Sequence, residues 1–187
     1  MRTFVALNLP PEERARLHES LEPVRAKSLP VRWAAPDALH MTVKFLGDTE
    51  SAAVAAVDEV LLTAAERRSP ISLRIGGLGG FPSLRRANIL WVGVTGDSEL
   101  AALQRELEPA LSRLGFPRDQ RPFRPHITIG RTRGGTQPLD VERLSGLVRY
   151  ETTITVDTVD LMQSHTGPDG PRYDTLLRRR LGEKEGL

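Results

Sequence analysis

Two short segments constrain this chain more than any other feature: His40-Met41-Thr42-Val43 and, 86 positions later, His126-Ile127-Thr128-Ile129. Side chains on a strand alternate with a period of two, so each His shares a face with its Thr while Met41, Val43, Ile127 and Ile129 face the other way. The apolar faces belong to a core. The His and Thr faces cannot both be buried cheaply, because an unpaired imidazole or hydroxyl costs about 1 to 3 kcal/mol. They are expected to line a groove. His18-Glu19-Ser20 has a similar spacing but falls in a helical pattern, where residues two apart diverge, so His18 reads as a solvated helix residue.

The elements around the two segments are mixed in order. Strands are expected over Thr3–Leu9, Val31–Trp33, His40–Leu46, Ile71–Ile75, Asn88–Thr95, His126–Gly130, Glu151–Gln163 and Tyr173–Leu181, on β-branched content and flanking turn residues. Helices are expected after Pro10-Pro11, over Ser51–Arg68, over Ser98–Leu114 and, short, over Leu139–Val148. Hairpins rather than βαβ units argue for an α+β layout, antiparallel sheet with helices packed outside. The double helix-strand-helix echo fits two half-domains related by an approximate two-fold axis, within a single bilobal domain over 1–187. Arg178–Lys184 is a charged tail expected to fray.

Composition removes whole classes of chemistry. With no cysteine among 187 residues there is no disulfide, thiolate nucleophile or Cys-based metal site. A formal charge of +2 is too small to argue for a polyanionic partner by itself. No run approaches about 18 consecutive apolar residues, and Met1–Leu9 is followed by Pro10-Pro11-Glu12-Glu13 rather than a cleavage site, so a cytoplasmic protein with no membrane role is expected. Gly76–Gly80 lacks the Lys-Ser/Thr of a phosphate loop.

Histidine titrates near 6.5, so of two imidazoles one can accept a proton while the other donates one near neutral pH. A threonine hydroxyl beside each suits a phosphoryl oxygen. Two His and two Thr on facing strands could hold a phosphodiester, activate a nucleophile on one side and protonate the leaving oxygen on the other, with no metal or cofactor.

Pro36-x-x-Leu39-His40-Met41-Thr42-Val43-Lys44-Phe45-Leu46-Gly47, together with Arg124-Pro125-His126-Ile127-Thr128-Ile129-Gly130-Arg131, resembles the paired motifs of the 2H phosphoesterases, in particular the bacterial and archaeal RNA 2′,3′-cyclic phosphodiesterases also called 2′-5′ RNA ligases. Gly79-Gly80-Phe81-Pro82 and Asn88–Val94 resemble that family's middle segment, and the similarity runs over nearly the whole chain. The resemblance implies a bilobal pseudo-symmetric fold with the motifs facing across a central cleft. It also implies hydrolysis of a ribose 2′,3′-cyclic phosphate to a 2′-phosphate, with His40 as general acid, His126 as general base, and Thr42 and Thr128 on the non-bridging oxygens. Run backwards with an RNA 5′-hydroxyl in place of water, the same apparatus would form a 2′-5′ linkage. The implied partner is RNA with a cyclic phosphate end, such as tRNA fragments, and a monomer is expected. Met41, Val43 and Ile129-Gly130 depart from the family's usual Leu, Leu and Leu-Ala without touching the catalytic positions.

Lys44 shares the parity of His40 and is expected beside the phosphate or as a solvated strand-end lysine. Arg124, Arg131 and Arg133 bracket the second motif and, with Arg85 and Arg86, could follow an RNA backbone, although the parity of Arg131 suits a structural salt bridge equally well. Among Trp33, Phe45, Phe81, Trp91, Phe123 and Tyr173, the apolar settings of Phe45 and Trp91 suggest core, and Phe81 and Phe123 are the candidates for base stacking. His165, with Asp169 nearby, reads as an exposed or substrate-edge histidine. Two other readings keep their place: a phosphodiesterase of small cyclic nucleotides or 2′-5′ oligonucleotides, and an RNA-binding module without catalysis.

Overall fold

A computed structural model describes residues 1–167 and 170–183. The chain runs β1 (Arg2–Asn8), α1 (Pro11–Ser20), α2 (Glu22–Arg25), β2 (Val31–Trp33), β3 (His40–Asp48), α3 (Val54–Glu66), β4 (Ile71–Phe81), β5 (Ile89–Gly96), α4 (Ser98–Arg113), β6 (His126–Thr132), β7 (Glu151–Val156), β8 (Thr158–Gly167) and β9 (Gly170–Arg180). Nine strands form one sheet in the order β7-β4-β5-β6-β3-β1-β8-β9, with β2 added on β6, and every pairing is antiparallel. The α+β expectation holds, and so does its division into two halves, here β7-β4-β5-β6 with β2, and β3-β1-β8-β9. The halves join through β3 and β6, which share a single register pair, Met41 with Ile127, and so diverge on either side of it.

The helices cover one face. Their contribution follows from spacing: Leu100, Leu103, Leu107 and Leu111 make one buried stripe on α4, and Val57, Leu61, Ala64 and Ala65 another on α3. Asp97 starts α4 by accepting hydrogen bonds from the Glu99 and Leu100 amides at 3.0 and 3.3 Å. Beneath these helices Val5, Leu7, Met41, Val43, Leu73, Ile75, Leu90, Val92, Ile127 and Ile129 complete the main core. On β1 the alternate residues Phe4 and Ala6 pack with Met162 and Tyr173 on the opposite face of the sheet. No helix among the described residues is long and apolar enough to cross a membrane.

Four sequence expectations change. The run Glu151–Gln163 is two strands, broken at Asp157: β7 pairs with β4 in one half and β8 with β1 in the other, so the chain crosses between halves at this point. The glycines from Gly76 lie inside β4, with Gly77 at φ +78° where the register against β5 shifts, a backbone geometry that favours glycine. Only a 3-10 turn, Glu142–Leu147, occupies the place of the fourth expected helix. Arg178, Arg179 and Arg180 are in β9 and ion-paired to Asp160, Asp58 and Glu183 rather than frayed; Lys184 lies outside the described residues.

Candidate active site

His40 begins β3 and His126 begins β6, and because these two strands are the junction of the halves, the rings reach one cavity of about 760 Å³. Thr42 and Thr128 line it on the same faces as their histidines. Each ring is held in the same way. His126 Nδ1 donates to the carbonyl oxygen of Arg124 at 2.7 Å, and a hydrogen bond to the Ala38 backbone holds His40, in both cases two residues earlier in the chain. With Nδ1 of His126 engaged as a donor, its Nε2 is free to take or give a proton. Aromatic rings fix the planes: Phe4 stacks on His40 and Tyr173 meets it edge-on, both with centroids at 4.8 Å, while Phe81 meets His126 edge-on at 5.0 Å and Trp91 lies at 5.9 Å.

These surroundings disfavour the charged imidazole. Burial is the main cause that pushes His40 down from 6.5 to about 4; its bond to Ala38 opposes the shift, and the charges of His126 and Arg14 add to it. His126 is lowered too, chiefly by burial, with the Arg124 carbonyl opposing and Arg131 reinforcing. Both rings are thus neutral at pH 7 in the free protein, and a bound anion is what would restore a proton to one of them.

Two bulges overturn the parity assignments. On β3, Ala6 faces Thr42 but Val5 faces Lys44, so Val43 and Lys44 are both buried and Phe45 turns to the cavity. Lys44, expected beside the phosphate or solvated at the strand end, is neither: it is 2% exposed on the helix side, and its Nζ donates to Glu108 Oε1 at 3.0 Å and Pro117 O at 2.8 Å and lies 3.5 Å from Asp119. Phe45, expected in the core, is 60% exposed and lines the cavity. On β6, Trp91 faces Thr128 but Leu90 faces Gly130, which leaves Ile129 as the extra residue and turns Arg131 inward. Phe45 and Arg131 both stand five residues after their histidines. The doubled segment carried that signal, but a uniform strand period hides it.

Other expectations divide. Phe81 lines the cavity. Phe123 packs against the main core instead, and the exposed Arg124 contributes its carbonyl rather than its guanidinium. Trp91, expected in the core, lies on the cavity side of β5, its ring over Gly79, where a Cβ would stand 2.1 Å from the indole. Arg85 is committed to Glu142 at 2.6 Å. His18 is half-buried against Arg25 rather than solvated. His165 is on β8, with Nε2 2.9 Å from Asp174; Asp169 lies outside the described residues. The sequence reading missed Arg2, Arg32 and Phe4, all of which line the cavity.

The charge of this cavity is one-sided. Arg2, Arg32, Arg131 and Arg133 line it and, among the described residues, no Asp or Glu does. None of the four has an ion-pair partner among the described residues. A second cavity of about 740 Å³ shares Tyr173 with the first but contains neither His40 nor His126.

The sequence matches the family model described as the 2′-5′ RNA ligase superfamily over residues 10–168. It is 35% identical over 152 residues to an RNA 2′,3′-cyclic phosphodiesterase of Geobacillus stearothermophilus, covering 81% of this chain but 48% of that one, so this chain spans about half the length of that relative. It is 32% identical over 165 residues to an RNA 2′,3′-cyclic phosphodiesterase of Aeropyrum pernix, covering 87% and 91% of the two chains. In three dimensions it superposes on the crystal structure of E. coli LigT complexed with 3′-AMP with a TM-score of 0.73, 27% identity, and coverage of 97% and 98%.

Proposed function

Because the chain belongs to the 2′-5′ RNA ligase superfamily, we propose that it hydrolyses 2′,3′-cyclic phosphodiester ends of RNA to 2′-phosphomonoesters, with His40 and His126 as the acid–base pair. The observation that carries this reading is a cavity shared by two similarly oriented histidines from opposite halves, rimmed by arginines that have no carboxylate partner among the described residues. The names of the relatives and the bound 3′-AMP of E. coli LigT support a nucleotide substrate of this class.

In this reading His126 takes a proton from water, whose oxygen forms the new bond to phosphorus. The P–O3′ bond breaks, and His40 gives its proton to the departing O3′. Thr42 and Thr128 donate to the non-bridging oxygens, and Arg131, close enough to depress His126, offsets the charge that builds on them. Phe45 offers an exposed ring for the terminal base. The anionic phosphate reverses the cost that burial imposes on the protonated His40. Residues 1–187 act as one bilobal domain, since neither half holds a complete site. Joining is the same step with an RNA 5′-hydroxyl in place of water.

The test is incubation of an oligonucleotide ending in a 2′,3′-cyclic phosphate, followed by identification of the product. A 2′-phosphate is expected, with turnover down roughly 10²- to 10⁴-fold in His40→Ala and in His126→Ala and the fold retained. Full turnover in either variant would reject the mechanism. Adding a 5′-hydroxyl oligonucleotide to the same reaction reads joining directly.

A further inference from the structure

On the short ribbon of β2 and β6, Arg32 stands directly opposite Arg131 in the antiparallel register. Like charges in that position destabilise a sheet, and no carboxylate of the described residues compensates them. Arg133, two positions beyond Arg131, lines the same cavity, and its amide is tied to Pro30 O at 2.9 Å. Arg32 also approaches the start of β9: its Cδ lies 3.5 Å from where a Cβ on Gly170 would stand, and both residues line the cavity. Three guanidiniums without an ion-pair partner among the described residues thus gather at one edge of a cavity whose catalytic groups need charge for only one phosphate. Arg133 stands one residue past the end of β6, further along the chain from His126 than Arg131.

We propose that Arg32 and Arg133 form a second phosphate site, which reads the phosphate on the 5′ side of the terminal nucleotide. The direction follows from the chemistry, because a 2′,3′-cyclic phosphate closes the 3′ end and leaves the 5′ oxygen as the only point of extension. The inference rests on the proposed function and adds a substrate class to it: nucleotides with a phosphate on each side of the terminal ribose, in preference to a cyclic nucleoside phosphate alone.

Three probes test it: 2′,3′-cyclic AMP, the same compound with a 5′-phosphate, and the dinucleotide ApA ending in a cyclic phosphate. The wild-type kcat/KM is expected to be roughly tenfold higher for both extended probes than for 2′,3′-cyclic AMP. The magnitude of the log–log salt slope is expected to grow by about 0.7 for the one added phosphate. Arg32→Ala and Arg133→Ala are each expected to reduce that ratio several-fold, and Arg32→Lys to restore part of it, whereas Arg131→Ala lowers turnover of all three probes. The thermal midpoint of Arg32→Ala is expected not to fall, since the substitution removes a like-charge pair. Equal loss on all three probes in Arg32→Ala and Arg133→Ala would overturn the second site. So would a gain confined to the dinucleotide, which would assign it to base or ribose contacts. Hydrolysis of none of the probes by the wild type would instead remove the proposed function itself and this inference with it.

Discussion

At the scale of single residues, protonation decides what the two histidines can do. Burial lowers both below 6.5, His40 to about 4, and kcat/KM reports the free enzyme, so both limbs of its bell should lie on the acid side of 6.5. The kcat profile reports the bound state, where the phosphate anion favours the protonated ring, so its alkaline limb should lie higher. Coincident profiles with limbs at ordinary histidine values would contradict the aromatic enclosure of His40. Lys44 gives the complementary case. It is buried among Glu108, Pro117 O and Asp119, and removing one partner of a buried ion pair costs about 3 to 5 kcal/mol. Asp119 is about half exposed, which puts Lys44→Ala toward the lower end of that range. Chemical unfolding should show the loss, while KM measured well below the unfolding transition stays within about twofold of wild type. A large rise in KM with unchanged stability would return Lys44 to the phosphate.

At the scale of elements, the bulges set which side chains reach the cavity, and a glycine sets how Trp91 packs beside His126. Trp91 needs the bare backbone of Gly79, because a Cβ there would stand 2.1 to 2.3 Å from its ring atoms. Gly79→Ala should therefore push the indole toward His126 and Phe81, its neighbours at 5.9 and 5.2 Å. Activity is expected to fall at least tenfold, with altered tryptophan fluorescence and an overpacking cost of about 1 to 3 kcal/mol. Wild-type turnover and fluorescence in this variant would show that the indole does not position His126. The strands themselves were legible, since alternation at His40–Val43 and His126–Ile129 is a local property. The destinations of Lys44, Phe45 and Arg131 were not. A bulge is a mismatch between two strands, Val5 against Lys44 or Leu90 against Gly130, and neither strand's own sequence shows where its partner skips a residue.

At the scale of the whole molecule, the chain does not build its halves one after the other. One half uses β1, β3, β8 and β9 from the two ends of the chain, and the other uses β4 to β7 from the middle with the short β2 of the N-terminal part added on β6. The echo of two His-x-Thr segments announced two halves. The return at Asp157 was invisible, because the continuous β-forming run Glu151–Gln163 reads as one strand until its two partners are known. This arrangement places His40 beside Phe4 of β1 and Tyr173 of β9, so its neutral burial depends on the first and last strands together. Global stability should follow its titration. The folded value of about 4 is below the 6.5 of the unfolded chain, so as pH falls the unfolded state binds the proton first. The contribution is complete above about 6.5 and is lost progressively between 6.5 and about 4. Denaturant midpoints of wild type and His40→Asn, measured from pH 7.5 down to 4.5, isolate it from the carboxylates that both proteins share. The wild type should lose more stability over that interval, and parallel curves would mean that His40 titrates in the folded protein as it does in the unfolded chain.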